Sequence, residues 1–227
     1  METINKLKRK FNNRVIGRIK KLYYKISKKN PNSPSLWNRI WTGKTDYGEM
    51  KEEERINLYK YIGSLIPEEE LNLLDMGCGD GEFLKYVNEK VKKNGIDFSK
   101  TGIEKAKQKV VNGNFSIGDI NKTQFNDSAF DVITIIETLE HVNNPEETLK
   151  EAKRLLKIGG KIIISVPHPE HDIYDVRAWP ECHSLHLYSF TFESLRGFLL
   201  KLNFHSIEDK TALDTLIISA RKMIKDV

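Results

Sequence analysis

Apolar residues open the chain at helical spacing. Ile4, Leu7, Phe11, Val15, Ile19, Leu22 and Ile26 recur every three or four positions, the period of an amphipathic helix. The stretch NPNSPS at 30–35 breaks that period and reads as a short linker. An aromatic-rich segment, LWNRIWTGKTDYGEM, comes next, followed by a charged helix from about Glu52 to Leu65. Beyond Pro67 the rhythm changes to short apolar runs separated by amphipathic ones. These predict strands at 71–76, 94–98, 114–117, 130–136 and 160–166, with helices near 82–91, 100–110 and 145–157. KIGGK at 157–161 reads as a glycine cap that closes the last of these helices.

Runs such as DVITII and KIIISV show no alternation of apolar and polar positions. That is expected of strands covered by helices on both faces of a parallel sheet. A long loop rich in Pro and His spans 167–190, then a helix near 191–202 and two strand-like runs, FHSIED and LDTLIISA. The short link between these runs predicts a hairpin, so the sheet should end with an antiparallel strand. The expected fold is α/β: an open, doubly wound, mostly parallel sheet with right-handed crossovers. The expected division is a basic helix and linker over 1–35 and a main domain over 36–227, with 36–70 as a helical lid.

Composition adds one feature that the pattern hides. Hydrophobic residues make up 39% and charged residues 30%, as in a water-soluble globular chain of 227 residues. Residues 1–29 hold eleven Lys or Arg against Glu2, a charge of +10, so the remainder carries −5 while the whole carries +5. A basic arm thus precedes an acidic body. The apolar runs are too short to span a bilayer and no secretory signal is visible, which points to a cytoplasmic protein. Cys78 and Cys182 suggest neither a zinc knuckle nor a disulfide framework.

Ligands of such sheets sit beyond the carboxyl ends of the strands. There the chain reads LLDMGCGDGEF, residues 73–83, with glycines spaced G-x-G-x-G and framed by Asp75, Asp80 and Glu82. A dinucleotide loop would be G-x-G-x-x-G and would receive a pyrophosphate, which carboxylates repel. Acids around a glycine turn suit a ligand with a cationic amine and a sulfonium, a description that S-adenosylmethionine meets. Asp97, twenty residues beyond Gly77, can accept ribose hydroxyls, with Phe98 as an apolar wall. Asp119 can accept from an adenine amino group, with Ile120 against the ring. Any single strand-end Asp more often caps the next helix than binds a ligand, and it is the three together, at successive strand ends, that point to a site.

These segments, together with FDVITIIETLEHVNNPEETLKEAKRLLKIGGKIIISVP and HLYSFTFESLRGFLLKLNF, resemble the successive motifs of class I S-adenosylmethionine-dependent methyltransferases, in their small-molecule branch. The resemblance covers about 71–221 and implies a seven-stranded sheet with the last strand reversed. It also implies that Asp75, Gly77, Cys78, Gly79, Asp97, Phe98, Asp119, Ile120 and Glu137 line the cofactor site.

Methyl transfer from a sulfonium needs alignment above all, and a hydroxyl acceptor also needs a base. His168, directly after the fifth strand, is the first candidate and His141 the second; His171, His183 and His186 share the long loop. Glu137, Glu140 and His141 with His186 form another possibility, a divalent-cation site of the kind the resemblance extends to in metal-dependent small-RNA 2′-O-methyltransferases and in part in ubiquinone-pathway O-methyltransferases. Against it stands the reading of LEHV as a common metal-free motif of the wider family. Amino-group methylases of nucleic acids and glutamine carry an Asn/Asp-Pro-Pro-Tyr/Phe tetrad where this chain has ETLE, so oxygen is the expected acceptor atom. The leading expectation is O-methylation of a small hydroxylated sugar, lipid or glycan intermediate. An RNA 2′-O-methyltransferase and a silent cofactor-binding module are the rivals. The basic arm suits an anionic membrane surface better than nucleic acid, given the acidic body, although a docking helix with solvated lysines has the same pattern. Trp37, Trp41 and Tyr47 resemble the aromatic segment that covers the cofactor in related enzymes.

Overall fold

The computed structural model describes residues 32–43, 50–169 and 186–223. Seven strands form its frame: β1 (Asn72–Met76), β2 (Lys92–Asp97), β3 (Asn114–Ile117), β4 (Phe130–Ile136), β5 (Leu156–Pro167), β6 (Phe204–Asp209) and β7 (Thr215–Lys222). They lie in the order β3-β2-β1-β4-β5-β7-β6. Strands β1 to β5 pair in parallel, and β7 runs antiparallel to both β5 and β6. The expected doubly wound sheet with a reversed last strand is therefore the observed one.

Successive residues of the uniformly apolar strands serve different cores. Leu74, Ile133, Ile162 and Ile164 pack on one face with Leu149 and Leu195, which come from helices α4 (Pro145–Leu155) and α5 (Phe192–Lys201). Leu73, Val132, Ile163 and Ile217 pack on the other with Leu58 and Ile62 of α2 (Glu52–Ser64). Period-two geometry is present, but both faces demand the same residue type and so erase it from the sequence.

Three expected boundaries differ. Helix α1 (Pro34–Trp41) begins inside the stretch read as linker, because the Ser33 side chain caps the Leu36 N–H and Pro34 takes the first helical position. The helix expected at 82–91 is a single 3-10 turn, Phe83–Tyr86. Val87 is already extended, and the Asn88 side chain accepts the Lys90 N–H at 2.9 Å, which turns the chain into β2 two residues early. KIGGK is no helix cap. Strand β5 begins at Leu156, directly after α4, and Gly159 at φ 75° lies where the β4–β5 register shifts between Phe130 and Val132, the position of a bulge.

Helix α3 (Lys100–Lys109) starts at a Ser99 cap whose hydroxyl accepts the Gly102 N–H at 3.1 Å. The basic arm, Tyr47, His171, Cys182 and His183 lie outside the described residues.

Candidate active site

A cavity of about 840 Å³ opens at the carboxyl edge of the sheet. Its wall contains every described residue assigned to the site from the sequence: Asp75, Gly77, Cys78, Gly79, Asp97, Phe98, Asp119, Ile120, Glu137, His141 and His168.

The glycine loop is held by backbone. The N–H groups of Gly77 and Cys78 both donate to the Ile96 carbonyl, at 2.8 and 3.1 Å, so the chain leaving β1 folds across the end of β2. Gly79 sits at φ 50°, and a Cβ there would strike the ring of Trp41. The loop then enters the single 3-10 turn. A long helix would aim its positive end and bare N–H groups at a bound phosphate; this short turn supplies neither in strength.

Two acids beside the loop are truly buried. Asp97 accepts the Gly79 N–H at 3.0 Å on one carboxylate oxygen and the Ser99 N–H at 2.8 Å on the other. Burial raises its pKa to about 6, against the pull of those N–H groups. Asp75 accepts the Thr134 hydroxyl at 2.7 Å, and burial raises it to about 7, with the charge of Asp97 adding to the effect. The other two framing acids behave differently. Lys109 of α3 pairs with Asp80 and, at 2.6 Å, with Glu82, which Lys85 also meets at 2.8 Å. The expected ring of bare carboxylates therefore reduces to Asp75 and Asp97.

Farther along, Asp119 accepts both the backbone and side-chain N–H of Asn121, at 2.8 and 2.9 Å, so it shapes its own turn while lining the cavity. Ile120 is buried in the core as well as in the wall. Cys78 is buried against Gly95, and burial pushes its thiol pKa up. Glu137 follows β4 at φ 47°, a strained conformation for a residue with a side chain. Ser165 of β5 holds it there, accepting the Glu137 N–H at 3.0 Å on its carbonyl and donating its hydroxyl to Oε1 at 2.8 Å.

Beyond Glu137 the wall is aromatic and titratable. The His141 ring stacks edge-on against His186, centroids 4.8 Å apart, and against Trp37 at 5.1 Å. Glu140, His141 and His186 bring one potential ligand atom each to within 4.8 Å of one another; Glu137 is not part of that group. The Glu140 carbonyl accepts the Leu187 N–H at 2.7 Å, which ties the two segments together. His168 lines the same cavity.

Several wall residues escaped the sequence reading. Arg55 and Tyr59 stand one turn apart on α2 and both line the cavity, where nine acidic residues accompany Arg55 as the one Lys or Arg among the described residues. Burial, with the charge of Glu137, drives the Tyr59 phenol far above its usual range. Their i, i+4 spacing was the available signal, but the surrounding charged helix masks it. Asp214 and Thr215 arrive from the β6–β7 turn, and Asn32 from the start of the described chain. Asn38 of α1 accepts the Ser99 hydroxyl at 2.7 Å and the Thr101 N–H at 3.1 Å, which docks α1 on the start of α3.

The strand order, the glycine turn and the buried acid at the end of β2 together define the Rossmann-like fold of class I methyltransferases. Over part of its length the chain is similar to the class I S-adenosylmethionine-dependent methyltransferases. Residues 74–164 match the family model described as a methyltransferase domain. A ubiquinone biosynthesis O-methyltransferase of Coxiella burnetii is 35% identical over 129 residues, 52% of this chain and 53% of that protein. A sterol 4-C-methyltransferase of Caenorhabditis elegans is 31% identical over 125 residues, 52% of this chain and 37% of that one. The chain thus spans about half or less of these curated relatives. Among solved structures, the methyltransferase complexed with the Trm112 methyltransferase activator of Haloferax volcanii shares the fold at a TM-score of 0.69 and 17% identity, covering 88% of this chain and 100% of that one.

The site fits the cofactor of this class. The cavity volume falls within the ~300–1,000 Å³ of small-molecule sites, and its buried acids match a ligand that carries cationic groups and no phosphate. S-adenosylmethionine, when bound, supplies an already activated methyl carbon.

Proposed function

We propose that the chain methylates an oxygen of a small hydroxylated acceptor such as a sugar, lipid or glycan intermediate. One observation carries this reading: His141, His168 and His186 open into the same cavity as the glycine loop with its two buried acids. In this reading Asp97 binds ribose hydroxyls, Asp119 and Ile120 receive the adenine, and Phe98 walls the ring. Arg55 holds the cofactor's carboxylate, and Asp75 and Glu137 favour its cationic end. A ring nitrogen of His168 would take the acceptor hydroxyl's proton, and the cofactor, when bound, would supply the activated methyl carbon to that oxygen. His141 serves as the second base. Trp37 and Trp41 close the wall and exclude water.

The test is a screen of hydroxylated acceptors with a labelled methyl donor. Transfer to oxygen that falls by about 10²–10⁴-fold in His168→Ala, at unchanged S-adenosylhomocysteine affinity, supports the reading. Cofactor binding without transfer to any acceptor would make the chain a silent binding module.

A second reading has its own observation in the convergence of Glu140, His141 and His186. These three would hold a divalent cation, which would lower the pKa of an acceptor hydroxyl. Calorimetric titration with Mn²⁺ reads this directly. Saturable binding abolished in His186→Ala, and activity lost to a chelator and restored by Mn²⁺, support it; absence of binding ends it.

A further inference from the structure

The apolar runs DVITII and KIIISV each carry one hydroxyl, Thr134 in β4 and Ser165 in β5, and both residues are fully buried. A hydroxyl inside a sheet core is destabilising unless it is hydrogen-bonded. Each of these two donates to an acid of the cavity wall: Thr134 to Asp75 at 2.7 Å, and Ser165 to Oε1 of Glu137 at 2.8 Å. Strand register places them for it. Thr134 pairs with Asp75 across β1 and β4, and Ser165 pairs with Ile136, the residue before Glu137, across β4 and β5.

The two acids are not held alike. Asp75 is a residue of β1, whereas Glu137 has left β4 and stands at φ 47°, which a residue with a side chain keeps only where its surroundings fix it. Ser165 makes three hydrogen bonds to it. The carbonyl and the hydroxyl oxygen of Ser165 both accept the Glu137 N–H, at 3.0 and 3.2 Å, and its hydroxyl proton goes to the carboxylate. Backbone and side chain of Glu137 are thus both set by one residue of β5. Besides burial, the charges of Glu137 and Asp75 drive up the Tyr59 phenol, so both carboxylates act on the part of the wall that α2 supplies.

A carboxylate that supplied only negative potential would need no fixed orientation, because that interaction depends on distance alone. Orientation matters to a cation that donates hydrogen bonds. Of the two cationic groups of S-adenosylmethionine, the ammonium has N–H donors and the sulfonium has none. We propose that Ser165 is a positioning residue that aims the Glu137 carboxylate at the ammonium of the bound methyl donor. This deepens the assignment of Asp75 and Glu137 to the cofactor's cationic end and rests on it; it does not depend on the acceptor. The buried hydroxyl and the left-handed backbone then have one explanation: together they hold a charged acceptor at a fixed angle on the cavity wall.

The experiment is calorimetric titration of the full chain with two probes: S-adenosylhomocysteine, which carries the ammonium, and 5′-methylthioadenosine, which lacks the amino-acid end. Ser165→Ala should weaken S-adenosylhomocysteine by about tenfold, the loss of one hydrogen bond to a charged group, and leave methylthioadenosine within about twofold. Glu137→Gln should weaken S-adenosylhomocysteine by about ten- to a hundredfold. In the double variant, Ser165→Ala should add less than about twofold, because no carboxylate is left to aim; a residue that only supports the fold would add its full effect. Equal weakening of both probes in Ser165→Ala, or losses that multiply in the double variant, assigns Ser165 to the fold and overturns the proposal. Unchanged S-adenosylhomocysteine affinity in Glu137→Gln also overturns it. That variant keeps an acceptor for the Ser165 hydroxyl, so it decides the matter even where Ser165→Ala does not fold. Failure of the parent protein to bind either probe strikes the cofactor reading itself, and the proposal with it. None of these results touches the identity of the acceptor atom.

Discussion

Along the ends of β1, β2 and β3 the cavity wall comes from three short loops, each directly following its strand. Backbone hydrogen bonds set the geometry there: the Ile96 carbonyl anchors the glycine turn, and the N–H groups of Gly79 and Ser99 orient Asp97. Along β4, β5 and β7 the wall is assembled from distant segments. Asn32, Trp37 and His186 meet at His141 there, with Asp214 beside β7, while Glu137 and His168 directly follow β4 and β5. The first half is a consequence of strand order and turn chemistry. The second depends on segments whose sequence spacing says nothing about their meeting.

The sharpest way to break this comparison is Asp97→Asn. The substitution removes the charge and sets an amide donor against a backbone N–H, so S-adenosylhomocysteine binding should weaken about ten- to a hundredfold in calorimetry, the ~1.5–3 kcal/mol of charged hydrogen bonds. Asp119→Asn, in an exposed turn, should cost far less. Equal losses at the two positions would show that backbone orientation is not what distinguishes them.

Acidity comes next. Asp75 and Asp97 have pKa values raised to about 7 and about 6 without cofactor. Both lie above the ~3.9 of an unfolded Asp, so between these limits the folded chain binds more protons than the unfolded one. Their contribution to stability is fully present below the unfolded value and is lost as pH rises through 6 and 7. Thermal melts of the cofactor-free protein should therefore show stability falling over this window, with a shallower slope in Asp75→Asn. Cofactor affinity should move the opposite way and tighten by about tenfold from pH 5.5 to 7.5, because a cationic ligand favours the ionised acids. A pH-independent affinity would remove the electrostatic role of the pair.

Glu137→Gly separates stability from function. Relief of the φ 47° conformation should leave urea stability unchanged or raise it by up to about 1 kcal/mol, while methyl transfer falls. Retained activity would assign Glu137 to the backbone alone. The smallest effect is expected from Asn38→Ala. It loses two hydrogen bonds to the start of α3 and should weaken S-adenosylhomocysteine binding by about fivefold, the ~1 kcal/mol of an ordinary hydrogen bond.

What the sequence disclosed follows the same division. β3 and β4 have the limits read from the apolar runs, and each acid expected at a strand end is in the wall. Strand-end position is a local property, so it survives without a structure. Charge compensation is not local: Lys109 lies 29 residues from Asp80 and 27 from Glu82, and only the packing of α3 against the loop brings them together. Glycine was ambiguous for a similar reason. Gly159 after a helical run suggests a cap, and only pairing with β4 reveals a bulge. Arg55 and Tyr59 were invisible because a charged, partly exposed helix gives no reason to single them out.

The position of β7 ties the sheet edge to the pocket. It follows the other six strands in the sequence, yet it lies between β5 and β6, and among the described residues β6 pairs with no other strand. The segment Phe204–Asp209 packs against helix α5 through Phe204, but it joins the sheet only through Thr215–Lys222. Since Asp214 and Thr215 also belong to the cavity wall, the segment that joins β6 to the sheet is the one that completes this side of the pocket, so a change that unpairs β7 from β5 would damage both together.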